Sequence, residues 1–178
     1  MRFLGRWISD SVVLAVSLLA AALFMQVPAV THAYASALLQ VAQQARRDID
    51  QRESAARQYY HMTADTDDAL LAALKPLEPA NADALAQSIG RARDFQSEYD
   101  RISASPPLVQ PVTAALGVLR DAAGTRRAVL ATTLATYAPE IIMTLSGAIY
   151  ALIGLIIGSL LAQVIVVPLR RDRRVAAY

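Results

Sequence analysis

Residues 11–30, SVVLAVSLLAAALFMQVPAV, contain no charged side chain and decide what kind of protein this chain is. Within them, residues 12–27 form almost unbroken apolar sequence. About 20 helical residues with a rise of about 1.5 Å each match the roughly 30 Å hydrocarbon core of a bilayer. The stretch therefore predicts a transmembrane helix, assigned to 11–30, close to the start of the chain.

A second charge-free block occupies residues 141–167 and is longer than the first. A span of this length has to tilt or to extend a turn into the headgroup region. Pro168 is expected to end the helix, because proline cannot donate the backbone hydrogen bond that would continue it. We therefore assign 139–168 to a second transmembrane helix.

Basic residues flank the two blocks on the sides that face the chain ends. They are Arg2 and Arg6 before the first block, and Arg170, Arg171, Arg173 and Arg174 after the second. On the inner sides, the first basic residues are Arg46 and Arg127. Because positively charged flanks stay in the cytoplasm, we expect cytoplasmic ends at 1–10 and 169–178, with 31–138 in the periplasm. The flanking arginines are also the expected contacts with anionic lipids of a bacterial inner membrane.

The N-terminus has an alternative interpretation as a cleaved signal peptide. Arg2 and Arg6 would then be its basic region, residues 12–27 its apolar region, and Ala33-Tyr34-Ala35 its cleavage site. The interval between residues 27 and 35 is long for such a peptide, and the apolar block is long enough to span a membrane. An uncleaved anchor is therefore the preferred interpretation.

The segment between the blocks has helical periodicity and no strand pattern. Breaks are expected at 63–66, around Pro76 and Pro79, and at Pro106-Pro107. The predicted helices cover about 34–60, 67–74, 81–102 and 111–134. The predicted fold is an all-α membrane protein, in which two transmembrane helices flank an exported antiparallel helical bundle.

The spacing of apolar residues also predicts which side of each helix faces the bundle core. For the first helix, the expected inward residues are Tyr34, Leu38, Val41, Ala45, Ile49, Ala56 and Tyr60, and the expected solvated face carries Arg46, Asp50, Glu53 and Arg57. For the third helix they are Leu85, Ile89, Ala92, Phe95, Tyr99 and Ile102. For the last helix they are Val112, Leu116, Leu119, Ala123, Leu130 and Leu134.

The composition excludes several kinds of chemistry. No cysteine is present, so disulfides, thiolate nucleophiles and Cys-ligated metals are excluded, and a metal site would depend on two histidines and carboxylates. The net charge of +2 is small, and the basic residues form no patch of nucleic-acid size. No hydrolase triad order, phosphate loop, dinucleotide fingerprint or zincin motif occurs. We expect neither enzymatic activity, nor a cofactor, nor a nucleic-acid partner.

One group of side chains resembles a cation site: His61, Asp65, Asp67 and Asp68. Carboxylate oxygens and an imidazole could ligate a metal at a helix turn. In the simpler interpretation, which we prefer, Asp65 caps the short helix and the two following aspartates favour its N-terminal dipole. A similar choice applies to Asp10 and Glu140 at the ends of the spans, where favourable helix-dipole contacts are preferred over ion translocation.

Small residues form a stripe along the second apolar block, and we call this stripe the glycine face. It consists of Gly147, Ala151, Gly154, Gly158 and Ala162. Small residues at such spacing let another helix approach closely within a membrane. The partner of the glycine face could be the first span, a second copy of the chain or another protein.

Short motifs at the ends of the apolar blocks resemble an uncharacterised proteobacterial membrane family, domain-of-unknown-function family 2937. These motifs are QVP at 26–28, which closes the first block, and TYAPE at 136–140, which leads into the second. The two-span layout of that family covers the whole chain, whereas the middle matches only in length and helicity. The resemblance implies the topology and supplies no activity.

Two functional hypotheses follow. The first is a non-enzymatic accessory or scaffold protein that forms a homo-oligomer or joins a larger membrane complex, because the glycine face is available and the cytoplasmic ends are short. The second is a periplasmic sensor or ligand-binding input module, by analogy with the layout of chemoreceptor-type sensors. It would have to signal through a partner. A small ion-conducting oligomer is disfavoured because both spans lack internal charge.

Overall fold

The computed structural model describes residues 2–139 and 144–175, and side chains of residues 2–6, 8–9 and 165–175 lie outside that description. The described chain is all-helical, as the sequence predicts. Its helices are α1 (Arg2–Met25), α2 (Val27–Tyr60), α3 (Asp67–Leu74), α4 (Pro79–Ser103), α5 (Gln110–Leu119), α6 (Thr125–Thr136) and α7 (Leu145–Val175). The chain divides into an apolar unit, Met1–Thr31 with Tyr137–Tyr178, and a helical unit, His32–Thr136.

The apolar unit is built from α1 and α7, which pack against each other. Two helical segments of the chain are long and apolar enough to cross a membrane, one near the N-terminus and one at Leu145–Val164. Large apolar side chains such as Leu19, Leu23 and Ile156 remain more than half exposed on these helices. In the same unit, the Tyr137 hydroxyl donates a 2.7 Å hydrogen bond to Gln26 Oε1.

A one-residue break at Gln26 separates α1 from α2. Pro28 causes it, because proline has no N–H and its ring collides with the carbonyl four residues earlier. The Gln26 N–H turns back to the Leu23 carbonyl at 3.1 Å, and the Val30 N–H restarts the helix on the Gln26 carbonyl at 2.9 Å. The helix predicted at about 34–60 is therefore present as α2, which begins earlier, at Val27.

Two predictions about helix ends are wrong. Pro168 does not end the last helix, because α7 continues to Val175. A proline inside a helix removes its own hydrogen bond and kinks the chain, but the remaining turns can hold. The helix predicted from residue 111 onward is two helices, because the chain turns between α5 and α6 at Gly124, whose φ of 76° is left-handed.

Asp121 fixes the turn between α5 and α6. Its carboxylate accepts backbone N–H groups from Gly124 at 3.0 Å, Arg126 at 2.8 Å and Arg127 at 3.1 Å. These are the groups that the first turn of α6 would otherwise leave without partners. Burial raises the pKa of this carboxyl, but the three donors more than compensate and hold it below its ordinary value.

The helical unit contains two hydrophobic clusters. The entry cluster, near His32, consists of Tyr34, Ala35, Leu38, Ala42, Phe95, Ile102 and Ala114. The distal cluster consists of Ile49, Leu70, Leu74, Ala82, Leu85, Ile89 and Ala92. The first part of α2 thus meets the last part of α4, and the last part of α2 meets the first part of α4. The two long helices are therefore antiparallel.

The core faces are predicted well for α4, mostly for α2 and poorly for the last exported helix. In α4, all the expected inward residues are buried except Tyr99, which is half-buried. In α2, Val41 is exposed and Glu53 is buried, opposite to expectation. The expected stripe of the last helix is wrong at Val112, Leu116, Leu119, Ala123 and Leu134, which are all exposed. The break at Gly124 rotates the helix, so a spacing counted across it has no structural meaning.

The end of α2 yields a stability prediction. His61 has a φ of 51°, and the Met62 N–H bonds the Arg57 carbonyl at 3.1 Å, which is a Schellman closure that favours glycine. His61→Gly is therefore expected to raise the free energy of unfolding by about 1 kcal/mol. His32→Gly, inside α2, should lower it by about as much. Urea unfolding of the full chain in detergent measures both changes. If both substitutions changed the free energy of unfolding in the same direction, the left-handed helix end at His61 would be contradicted.

Candidate functional site

The most prominent polar feature inside the helical unit surrounds Glu98, which is only 2% exposed. Both carboxylate oxygens accept from Arg101 Nη2, at 2.6 and 2.7 Å. Arg126 Nη1, from α6, lies 2.9 Å from Glu98 Oε2. The same Arg126 donates from Nε to Asp94 at 3.1 Å and makes a second contact through Nη2. We call Tyr34, Asp94, Glu98, Arg101 and Arg126 the Glu98 cluster.

Gly117 makes room for this cluster. A Cβ atom at this position would lie 1.9 Å from Glu98 Oε1 and 2.4 Å from Arg101 Nη2. The missing side chain lets α5 approach α4 directly over the buried carboxylate. Arg101 Nη2 also reaches the Thr113 carbonyl, at 3.4 Å, so the same guanidinium contacts the α5 backbone. Any larger residue at 117 has to displace the ion pair.

Tyr34 is buried beside the ion pairs, at 1% exposure, and its hydroxyl has no hydrogen-bond partner among the described residues. Burial, together with the negative charge of Glu98, raises the pKa of this phenol to about 12. The hydroxyl is therefore protonated at physiological pH. A neutral phenol beside an arginine-neutralised carboxylate is a closed, charge-balanced arrangement.

A second cluster joins three helices around Asp67, and we call Arg46, Glu53, Arg57, Asp67 and Arg93 the Asp67 cluster. Arg46 of α2 binds the Asp67 carboxylate with both terminal nitrogens, at 2.7 and 3.0 Å. Arg93 of α4 donates to the same carboxylate at 3.3 Å. Glu53, 2% exposed, accepts from Arg57 at 3.2 Å. The cluster therefore ties α3 to both long helices.

The suggested cation site is not assembled. Asp67 is bound by arginines, and His61 ends α2 in a left-handed conformation. The expected cap is also wrong, because the N-cap of α3 is Thr66, whose hydroxyl accepts the Ala69 N–H at 3.3 Å, and not Asp65. Over residues 2–139 and 144–175, no three His, Asp or Glu side chains are placed to hold a metal ion.

The two acids of the Asp67 cluster, the buried Glu53 and the partly buried Asp67, have opposite pKa shifts. The hydrogen bond from Arg46 lowers the pKa of Asp67, so its contribution to stability is present above the ordinary value of 3.8 and is lost as the pH falls through the lowered pKa. Burial raises the pKa of Glu53 more than its arginine neighbours lower it. The contribution of Glu53 is therefore present below 4.5 and is lost as the pH rises through the raised pKa.

Neutral amides at these two positions are expected to act in opposite directions. Asp67→Asn should lower the free energy of unfolding by about 1–2 kcal/mol at neutral pH and by nothing once the parent aspartate is protonated. Glu53→Gln should raise stability at neutral pH, with the gain vanishing in acid. Urea unfolding across a pH series, followed by hydrogen exchange in α3 and α4, measures both. A stability loss for both variants at neutral pH would contradict the inferred signs.

The glycine face of α7 lies against α1 in the apolar unit. A Cβ at Gly154 would stand 2.6 Å from the Ala20 carbonyl oxygen and 2.7 Å from Phe24 Cβ. At Gly158 it would stand 2.6 Å from Ala20 Cβ and 2.9 Å from Ser17 Cα. Of the other members, Gly147 and Ala162 are buried and Ala151 is half-buried. Within the chain, the glycine face therefore contacts α1 at Gly154 and Gly158.

The remaining candidate residues are placed as follows. Asp10 is exposed. The side chains of Arg2, Arg6, Arg170, Arg171, Arg173 and Arg174, and the whole of Glu140, lie outside the described residues. A cavity of about 450 Å³ opens near His32 between α2, α4 and the start of α5. Its polar lining includes Ser36, Gln40, Tyr99 and Gln110.

Sequence reasoning missed the Glu98 cluster. Glu98 occupies the third position after Phe95 in the inward stripe of α4, and that spacing is the signal that could have revealed it. Gly117 likewise follows Ala114 by three residues on the buried side of α5. Neither signal identifies Arg126, which reaches Asp94 across 32 residues of sequence.

These features define an all-helical protein in which two long apolar helices accompany a compact helical unit closed by internal ion pairs. The sequence matches the family described as Protein of unknown function (DUF2937) over residues 8–175, and the chain belongs to that family. Neither a curated protein nor a solved structure matches it.

Proposed function

We propose that this chain is a non-enzymatic accessory or scaffold protein of the bacterial inner membrane. Both apolar helices would cross the bilayer, since they have the required length and hydropathy. The arginine-rich flanks favour cytoplasmic ends, with the helical unit in the periplasm. Lipids and other membrane proteins, including further copies of the chain, are then its partners.

The main support for this proposal is that the acidic side chains inside the helical unit form ion pairs with arginines of the same unit. Glu98 is shared by two arginines, and Asp67 is also shared by two. Catalytic acids and bases instead need an open approach to a substrate and a pKa matched to proton transfer. Charges that bind each other across α2, α3, α4 and α6 hold helices in place and leave the outer surface for association.

The glycine face contributes differently from the sequence-based expectation. Because α1 covers Gly154 and Gly158, lateral association has to use other faces of the apolar helices. Outward residues available for it include Leu18 of α1, at 54% exposure, and Ile156 of α7, at 58%. Packing of helix on helix through such residues is the ordinary means of association in a bilayer.

Photo-crosslinking in native membranes tests the association. A photoreactive amino acid at Leu18 or Ile156 should give a discrete protein adduct, and the same residue at the exposed Asp83 of α4 serves as the comparison. Native mass measurement of the mildly extracted full chain should give the matching complex. A monomer with lipid adducts alone would overturn the scaffold role.

Cysteine labelling tests the topology, and the cysteine-free chain suits it. Gln87→Cys, exposed on α4, should react with an impermeant maleimide in spheroplasts. Ala177→Cys should react only after the membrane is opened. The reverse pattern would place the helical unit in the cytoplasm.

A second candidate, a ligand-binding input module, is favoured by the cavity near His32. Its volume of about 450 Å³ lies in the range of small-molecule sites, which run from roughly 300 to 1,000 Å³. Its lining of hydroxyl and amide groups suits an uncharged polar ligand. A library of such compounds should raise the melting temperature of the full chain, and Ser36→Trp, which fills the cavity, should abolish the shift. No stabilising compound would argue against this candidate.

A further inference from the structure

In most helices of a folded unit the large apolar side chains face the core. In α5 the small side chains face the core, and most of the large apolar side chains are exposed. Pro111, Ala114 and Gly117 are buried. We call the α5 face the exposed large apolar residues of α5 together with the two residues before it, and their exposed fractions are Leu108 43%, Val109 46%, Val112 53%, Leu116 42% and Leu119 71%. Contiguous exposed apolar side chains of this kind mark an interaction surface.

The α5 face begins at one particular end of the helical unit. Ile102, just before the α4–α5 turn, packs in the entry cluster with Tyr34 and Ala35. Gln110, the first residue of α5, lines the same cavity as His32. His32 is the residue at which the chain enters the helical unit, directly after Thr31 of the apolar unit. The first turn of α5 therefore lies at the end of the helical unit where the chain enters it, beside the cavity that His32 lines.

Charged residues flank the α5 face and do not interrupt it. No charged residue occurs from residue 102 to residue 119, and arginines bound this stretch on both sides. Arg120 and Arg127 are both exposed, and the Arg127 Nε donates to the Val118 carbonyl at 3.3 Å. Of the two acids beside this stretch, Asp121 is 7% exposed and binds backbone N–H groups, whereas Asp100 is exposed on α4 and accepts a hydrogen bond from Gln96. An apolar surface with basic edges complements an anionic lipid surface.

We propose that the α5 face rests in the headgroup region of the bilayer, with Arg120 and Arg127 facing anionic phospholipid headgroups. The proposal rests on the proposed membrane insertion of α1 and α7. Three prolines, at 106, 107 and 111, interrupt the charge-free stretch, so it lies on the membrane surface and does not span it. A lipid occupant is favoured over a protein one because arginines flank the apolar surface, and because the chain enters the helical unit at this end directly after a helix that is proposed to cross the membrane.

Tryptophan fluorescence with brominated lipids tests the proposal. Trp7 is the only tryptophan, so Trp7→Phe gives a silent background. In that background, Val112→Trp reports on the α5 face, and Leu116→Trp, about one turn further, gives an independent reading. Leu77→Trp is the matched control: Leu77 is 55% exposed and lines a cavity with Tyr60 and His61 at the opposite end of α2. Leu18→Trp reports on the first apolar helix.

Each variant of the full chain is placed in nanodiscs of phosphatidylethanolamine and phosphatidylglycerol, brominated either near the headgroup or deep in the acyl chain. The Val112 and Leu116 probes should have blue-shifted emission that shallow bromines reduce about twofold, with less reduction when phosphatidylglycerol is omitted. The Leu77 probe should be unaffected, and the Leu18 probe should be quenched by deep bromines.

The outcomes separate the two proposals. Quenching at Leu18 without quenching at Val112 and Leu116 overturns the α5 proposal and leaves membrane insertion standing. Blue-shifted emission at Val112 without bromine quenching overturns it in favour of a protein or a second copy on the α5 face. No quenching at Leu18 overturns membrane insertion, and with it the basis of the α5 proposal.

Discussion

Glu98→Gln is expected to lower the free energy of unfolding of the helical unit by about 3 kcal/mol. The substitution preserves the shape of the side chain and removes its charge. Among the described residues, Arg101, at 39% side-chain exposure, then has no carboxylate partner, while Arg126, at 17%, keeps Asp94. Removing one member of a buried ion pair is costly because the remaining charge stays desolvated and uncompensated.

Two variants make the Glu98 result specific. Tyr34→Phe removes a buried hydroxyl that has no hydrogen-bond partner among the described residues, so it should leave stability unchanged or raise it slightly. Asp48→Asn breaks an exposed pair with Arg52, half-exposed on both sides, and should cost less than about 0.5 kcal/mol. Urea unfolding of the full chain in detergent compares all three. A Glu98→Gln loss as small as that of Asp48→Asn would mean that Asp94 alone suffices for Arg126.

The same substitution, glycine to alanine, is expected to have opposite effects in two helices. At Gly158 the new Cβ would lie 2.6 Å from Ala20 Cβ and 2.9 Å from Ser17 Cα, so the helices α1 and α7 must separate. Overpacking of this kind costs about 1–3 kcal/mol. At Gly90, exposed within α4, a Cβ meets nothing within 4 Å. Gly90→Ala should therefore raise stability by about 0.5–1 kcal/mol through helix propensity.

Spin labels give a direct readout of the α1–α7 contact. Cysteines at Leu18 and Leu160, both exposed, carry the labels in an otherwise cysteine-free chain. The parent should give a narrow distance distribution, which Gly158→Ala shifts and Gly158→Leu broadens and lengthens. Gly90→Ala should leave it unchanged. An unaltered distribution in Gly158→Leu would show that α1 and α7 do not depend on the glycine face for their contact.

The sequence was sufficient wherever a helix is defined by neighbours along the chain. The bounds of α3, Asp67–Leu74, agree with the predicted ones because the prolines after Lys75 delimit the helix locally, although its cap is Thr66 and not the expected Asp65. The inward face of α4 is predicted nearly completely, because one uninterrupted helix carries its full periodicity. The two charge-free blocks likewise predict the two long apolar helices.

The sequence was insufficient where distant residues compensate one another. Glu53 and Glu98 look like solvated residues because a carboxylate is rarely buried without a partner. Their burial depends on arginines such as Arg126, which no local pattern connects to Glu98. The α5 face was misassigned for a related reason. Small residues allow α5 to approach α4, and its large residues are left outside, which periodicity alone cannot distinguish from the usual arrangement.

The candidate site was predictable only in part. The glycine face follows from spacing, and its burial is consistent with a contact surface, but the choice of α1 as the contacting helix required the structure. The Asp67 cluster, in contrast, could not be predicted from residues that are close in sequence. The sequence suggests Asp67 as a possible metal ligand, whereas the arginines that bind it, Arg46 and Arg93, lie 21 and 26 residues away along the chain.

The position of Arg126 in the chain has a consequence for how the protein is made. During synthesis, Glu98 first meets Arg101, three residues later, and remains half-compensated until α6 has emerged. A nascent chain that ends with α5 would have to bury a carboxylate with a single partner, which is unfavourable. Completion of the helical unit therefore waits for the segment that immediately precedes the second apolar helix. We therefore expect a chain truncated after α5 to leave the helical unit incompletely folded, and a chain that includes α6 to complete it.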